Sequence, residues 1–367
     1  MSDDPPIESD RVPGAPHPRE TLRVIGQDAA IASFLDAADA GRLHHGWLLT
    51  GPRGTGKATL AWAIARWLLA EGDPGDLHIP ADHPVARRML ALSEPRLHLV
   101  RRGTDDKTGR LRAEITVEDI RRLLSFFHMS AAEGGRRVAL IDAADDMNPA
   151  AANAVLKMLE EPPKDAVLLL IAHQPARLLP TIRSRCRELR LAPLSPDDMQ
   201  TALQPLDAAG DPARLAALAG GSVGEALRLS GQDGLARYAE IVRLFDTMPR
   251  MDRPRATALA DTAGGRPGAD GDPFDLTMTL LDRFLSRAAR AGLMGPPLPE
   301  AADGEAALLA RIAPDDRAAR HWATAQADLS ARARRGRAVN LDPAALVMDM
   351  VLELAQLPPA QASLTKA

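Results

Sequence analysis

Gly51-Pro-Arg-Gly54-Thr55-Gly56-Lys57 places three glycines around one lysine, a spacing that lets backbone amides wrap phosphate oxygens. An apolar run, Trp47 to Thr50, precedes it, and a helical pattern opens at Ala58. In that strand-loop-helix setting the loop amides and the helix N-terminus present positive potential, to which Lys57 adds a point charge. The next residue of a working Walker A loop carries a hydroxyl for magnesium, and here it is Ala58. Thr59 lies about 100° further round the helix and is a poor substitute. Gly51, Gly54, Thr55, Gly56, Lys57, Ala58 and Thr59 are therefore candidate nucleotide-binding residues of a site that would hold metal poorly.

A second acidic element is Arg137-Val-Ala-Leu-Ile-Asp142, an apolar strand ending in a carboxylate as a Walker B strand does. Asp142 either orients magnesium through water or simply caps its strand. Ala143 follows it, where a glutamate would polarise an attacking water, and Asp145 and Asp146 fall past the strand end. Cys186 reads as a small buried residue, because no histidine context accompanies it. As the single cysteine it excludes an intrachain disulfide and any multi-thiolate metal site, so no zinc is expected. His78 and His83 read as ordinary loop residues.

Alternating helical and short apolar stretches must position these groups. A helix is expected from Asp28 to Arg42, then the strand Trp47 to Thr50, the helix Ala58 to Leu69, and strands at Leu97 to Val100, Val138 to Ile141 and Val167 to Ala172. Helices from Val117 to Ser130 and Pro149 to Glu160, the latter with proline in its first turn, lie between the strands. That alternation predicts a parallel P-loop sheet covered by helices. After Pro193 the strand signal stops, and helical segments near 196–204, 211–219 and 223–230 suggest a small lid. The expected division is a disordered tail at 1–20, an α/β core at 21–192, a helical lid at 193–232, an all-α domain at 233–358 and a tail at 359–367.

At 367 residues the chain has room for two or three domains of roughly 100 to 200 residues each. Its formal charge of −4 supplies no global field toward nucleic acid, so any DNA contact has to be local. Only five of the 45 basic residues are lysine, a bias that lowers the weight of any single arginine. The acidic, proline-rich start has none of the features of a signal peptide, and no apolar stretch approaches 18 residues, so a cytoplasmic protein without membrane partners is expected. Residues 101–112 read as a hairpin-like basic loop, mobile at the surface or touching phosphate or a neighbour. Trp62, Trp67 and Trp322 read as apolar anchors on helices. The basic residues Arg332, Arg334, Arg335 and Arg337 read as a solvated helix end whose cations suit the dipole, and Leu341 to Leu357 as a strongly apolar helix.

Three further segments resemble one family. Asn148 to Pro163, reading NPAAANAVLKMLEEPP, looks like the stretch after Walker B in bacterial DNA polymerase III clamp-loader subunits. Leu178 to Cys186, reading LLPTIRSRC, carries their Ser-Arg-Cys motif, and Val24-Ile-Gly-Gln27 fits their opening. The resemblance covers about Val24 to Leu229 and implies an α/β AAA+ fold with a helical lid and an all-α collar assembling into a pentameric ring. It also implies gamma/tau and delta subunits as partners, with the sliding clamp and primer-template DNA reached through the complex. Ala58, Ala143 and Gly224, the last where a lid arginine would fall, separate this chain from the motor subunits. The retained Arg185 then implies an arginine finger acting in trans on a neighbour's ATP, although Arg183, Arg187 and Arg190 by themselves signal only a basic edge. Own-site ATP or ADP binding without hydrolysis is left open, no cofactor is required, and the family's four-cysteine zinc module has no counterpart at 71–96. A gamma/tau-like ATPase motor and a nucleotide-gated AAA+ adaptor outside replication are the competing functions.

Overall fold

The computed structural model describes residues 8–12, 14–105, 108–128, 134–206, 208–248, 250–268 and 271–355. Two compact units divide the chain, one of residues 1–206 with 221–225 and the other of 207–220 with 226–367. Among the described residues of the first unit, α1 (Asp28–Asp39), β1 (Gly46–Thr50), α2 (Lys57–Ala70), α3 (Pro84–Leu90), β2 (Leu97–Arg101) and α4 (Val117–His128) come first. β3 (Arg137–Asp142), α5 (Pro149–Glu160), β4 (Ala166–Ala172), α6 (Pro180–Arg183), β5 (Arg187–Arg190) and α7 (Pro196–Leu203) complete it. The strands form one parallel sheet in the order β2-β3-β4-β1-β5, the expected P-loop arrangement.

Strand residues alternate between two cores, as the twofold repeat of a strand requires. Trp47, Leu49, Leu140, Leu169 and Ile171 pack with α1, α2 and α3, while Leu48, Ala139, Ile141, Leu168 and Leu170 pack with α4, α5 and α6. Helices on both faces leave the central strands no polar face, and β4 is buried along its whole length. Asn148 caps α5 by accepting from the Ala151 amide at 2.9 Å, with Pro149 at the first turn as the sequence suggested.

The second unit contains α8 (Pro212–Ala219), the body of α9 (Val223–Gly231), α10 (Gly234–Asp246), α11 (Arg253–Ala263), α12 (Pro273–Met294), α13 (Glu305–Ile312), α14 (Asp316–Ala338) and α15 (Pro343–Ala355). α12 and α14 pack closely because Gly292 presents no side chain: a Cβ there would meet the Asp315 carbonyl oxygen at 2.4 Å. Phe245 stacks on Phe284 at 4.4 Å, and Trp322 packs edge-on to Phe245 at 6.5 Å.

Two observations bear on the expected division. Within the tail expected at 1–20, the His17 and Asp10 side chains are fully buried and lie 3.1 Å apart. The lid at 193–232 divides between the units, α7 and residues 221–225 grouping with the sheet and α8 and the rest of α9 with the C-terminal helices. Residues 1–7 and 356–367 lie outside the described residues, as does the end of the expected apolar helix at 341–357.

Candidate functional site

β1 delivers Gly51 to Lys57 to the carboxyl-terminal edge of the sheet, where β3 also delivers Asp142. Gly51, Gly54 and Gly56 have φ of +140°, +74° and +91°, conformations that favour glycine. Gln27 fixes the loop, its amide donating to the Thr55 carbonyl at 3.1 Å and the Ala192 carbonyl at 2.9 Å. Thr55 donates its hydroxyl to Pro52 O at 2.9 Å.

Lys57 turns back onto the loop, its Nζ donating to the carbonyls of Gly51 at 2.8 Å and Pro52 at 2.5 Å. Burial pulls its pKa down to about 8, against the opposing pull of Asp142 and Asp145. Asp142 is buried too. Loss of hydration, with Asp10 as the next contributor, pushes its carboxyl up to about 7.

Asp145 and Asp146 are both engaged. Asp145 accepts from the backbone amides of His173 at 3.0 Å and Gln174 at 2.9 Å, closing the turn after β4, and Asp146 pairs with Arg102 at 3.1 Å. His173 belongs to this site as well: burial and the nearby Lys57 and Arg53 hold its imidazole down to about 4, hence neutral. Sequence reading did not single it out, and its only local signal is its position just past an apolar strand.

The residues present do not fit magnesium-assisted hydrolysis, because Ala58 and Ala143 offer neither a hydroxyl nor a carboxylate. The lysine of the loop is occupied by loop carbonyls. Residues 222–224 lie directly on Gly54, with the Val223 amide donating to the Gly54 carbonyl at 3.0 Å and a Cβ on Gly54 falling 2.1 Å from Ser222 Oγ. At Gly224 a Cβ would come within 3.2 Å of the Gly54 Cα, so an arginine there would have to displace the turn.

Arg185 stands away from that loop, in the connection from α6 to β5. Its Nη2 lies 3.1 Å from Glu160 Oε1, its Nη1 donates to the Thr181 carbonyl at 3.2 Å, and 37% of the side chain is exposed. Arg187 instead covers the Trp47 ring at 5.2 Å. Cys186 packs against the core with its thiol pushed up to about 12 by burial, which makes it inert.

The 101–112 loop is a hairpin over its described residues, with Thr104 bridging Leu111, and residues 106 and 107 lie outside them. Three of its arginines are engaged within the chain: Arg101 with Glu8 and Asp10, Arg102 with Asp146, Arg112 with Asp119. His83 caps α3 by accepting from the Val85 amide at 3.2 Å. Trp62 and Trp67 are buried on α2, as expected of anchors.

Residues 26–195 match the family described as DNA polymerase III, delta subunit. The DNA polymerase III subunit delta-prime of Pseudomonas aeruginosa is 39% identical over 210 residues, 54% of this chain and 59% of that protein. That of Bacillus subtilis is 33% identical over 225 residues, 60% and 65% respectively. The gamma/tau subunit of Mycobacterium tuberculosis is 31% identical over 188 residues, covering 51% and 31%. The chain thus spans about three fifths of the length of the delta-prime relatives it matches. Among solved structures, the Thermotoga maritima RuvB Holliday junction branch migration motor aligns at 15% identity and a TM-score of 0.37, over 76% of this chain and 80% of that one. A DNA polymerase III gamma subunit-related protein of the same organism aligns at 17% and 0.35, over 88% and 100%. Residues 26–195, which hold the P-loop sheet, thus resemble the DNA polymerase III delta-subunit family, and over part of its length the chain is similar to delta-prime subunits.

Proposed function

We propose that this chain is a delta-prime subunit of a bacterial DNA polymerase III clamp loader, a non-hydrolysing ring member that lends Arg185 to a neighbouring gamma/tau ATP site. Its partners in this reading are gamma/tau and delta, and through the ring the sliding clamp and primer-template DNA, in the cytoplasm. One observation carries the reading: the chain's own loop lacks the magnesium hydroxyl and the glutamate, while Arg185 remains half-exposed away from that loop. A transferring γ-phosphoryl group spreads charge over its oxygens, and a guanidinium from outside can neutralise it, with arginine fingers worth about 10³ to 10⁵ in rate in favourable systems. Glu160 and the Thr181 carbonyl hold the fork oriented. No magnesium and no zinc belong to this subunit's own site in the proposal, and any ATP or ADP held there is not hydrolysed.

The test is reconstitution with gamma/tau and delta subunits. Arg185→Ala is expected to leave assembly intact and to lower DNA-stimulated ATPase and clamp loading at least several-fold, with Arg185→Lys rescuing little because an ammonium lacks the planar fork. Arg183→Ala serves as the charge control. An Arg185→Ala ring as active as the wild type, at matched assembly and ionic strength, would refute the role in trans.

A further inference from the structure

The N-terminal segment touches the candidate site and its supports at three places. At the sheet, Arg101 ends β2 and is the register partner of Asp142 on β3. It pairs with Asp10 at 2.5 Å and Glu8 at 3.2 Å, while the Ser9 hydroxyl donates to the Arg102 carbonyl at 3.3 Å. On α2, the helix that starts at Lys57, the His17 ring sits edge-on to Trp62 at 5.9 Å, and Arg66 donates to the Arg19 carbonyl at 3.1 Å. Between them, Val12 comes within 3.7 Å of the Cβ position of Gly224, which itself lies against Gly54 of the loop. Two acids bind the strap to itself as well: His17 lies 3.1 Å from Asp10, and Arg19 donates to Glu8 at 2.6 Å.

These contacts are not those of a tail resting on a surface. The Asp10 and His17 side chains are 0% exposed and that of Glu8 8%, so the pairs of the two acids with Arg101 lie away from water, where breaking one member leaves the others uncompensated. Asp10 is also the acid that contributes most to raising the Asp142 carboxyl, which puts the strap's charge at the Walker B end of the site.

We propose that residues 8–12 and 14–20 are an intramolecular latch over the phosphate-binding loop, held by the contacts of Glu8 and Asp10 with Arg101 and His17, and that breaking these contacts opens the loop to a nucleoside di- or triphosphate. The inference rests on the reading of Gly51 to Lys57 as a phosphate-binding loop. It separates a site that has lost hydrolysis from one that has lost binding: the amide cradle and Lys57 remain, and what excludes the ligand is the chain's own N-terminal segment.

The experiment uses the full chain, a fluorescent ADP analogue in EDTA, and amide hydrogen exchange over residues 14–20. Glu8→Ala/Asp10→Ala is expected to exchange faster in that segment and to bind the analogue at least tenfold more tightly than the wild type. Arg101→Ala, which removes the shared cation from the sheet side, is expected to do the same, and adding Lys57→Ala to either variant to abolish the gain. Equal affinities with accelerated exchange would overturn the latch, and so would unchanged exchange, because the pairs would then not hold the segment. A gain that survives Lys57→Ala would place the ligand elsewhere and overturn it too. The ring reading fails by a different result: tight binding by the wild type without turnover refutes the latch alone, whereas a silent Arg185→Ala refutes only the role in trans.

Discussion

Asp142 and Lys57 carry opposite formal charges at the same buried end of the sheet, and burial disfavours the charged form of both. For Asp142 the consequence is a stability term of definite sign. Folded, the carboxyl holds its proton up to about pH 7, whereas an unperturbed aspartate releases it near 3.8. Between those values the folded state binds more protons than the unfolded one, so unfolding free energy falls as pH rises. Asp142→Asn removes that dependence and is expected to be more stable than the wild type at pH 8, on the order of 4 kcal/mol, with little difference at pH 4. Urea denaturation at the two pH values checks this, and a variant less stable at pH 8 would mean that the ionised carboxylate is well compensated. At this scale the sequence disclosed the losses at Ala58 and Ala143 but not the occupation of Asp145, whose partners His173 and Gln174 lie 28 and 29 residues away. Only a folded turn brings those amides to the carboxylate.

Among the elements, the turn 222–224 has no freedom relative to the loop beneath it. Gly54 has φ of +74°, and a Cβ there would meet Ser222 Oγ at 2.1 Å and the Gly224 amide nitrogen at 3.0 Å. Ser222 is not free to retreat, because its hydroxyl accepts from the Glu225 amide at 3.1 Å, capping the start of α9. Gly54→Ala is therefore expected to lower stability by about 2 kcal/mol through backbone strain plus the displaced turn. Gly56→Ala is the control, since nothing lies within 4 Å of its Cβ position and strain alone remains at φ +91°. Thermal unfolding of the pair checks this, and equal effects would show that the turn moves away easily. Long elements were legible because their apolar spacing is strong: α2, α5, β3 and β4 stand within a residue of expectation. β5 was not, since Arg187-Glu-Leu-Arg190 buries only Leu189, and at the sheet edge its strand character comes from pairing with β1 rather than from composition. α3, with seven residues, is too short for a period to declare itself.

Across the whole molecule, each unit is fastened by a buried ionic knot formed between residues distant in sequence. The N-terminal knot is not legible in the five prolines and the acids of residues 1–20, because Arg101 lies 91 residues from Asp10 and leaves no local trace. The C-terminal helices carry a second knot around Glu305, which is fully buried. Arg287 donates Nε to Glu305 Oε1 at 2.6 Å and Nη2 to Oε2 at 2.9 Å, a two-pronged pair, while Tyr238 donates its hydroxyl to Oε1 at 2.5 Å. The Ala301 amide gives the carboxylate a fourth bond at 2.7 Å, and Arg287 Nη1 reaches the Ala217 carbonyl at 3.1 Å. One carboxylate thereby ties α8, α10, α12 and α13 together. Taking the carboxylate away leaves the Arg287 guanidinium, Tyr238 hydroxyl and Ala301 amide buried without it, a loss that costs about 3 to 5 kcal/mol when one partner of such a pair is removed. Glu305→Ala is expected to destabilise the C-terminal helices by that amount, and Glu305→Gln by less, because the amide oxygen still accepts from two of the donors. A double variant, Glu305→Leu with Arg287→Met, removes both charges and is expected to recover most of the loss, since the penalty arises from the unpaired cation rather than from a large net gain in the intact pair. Guanidinium denaturation followed by helical circular dichroism reads all three. A double variant as unstable as Glu305→Ala would show that the hydrogen bonds to Tyr238 and Ala301, not the charge, hold these helices together.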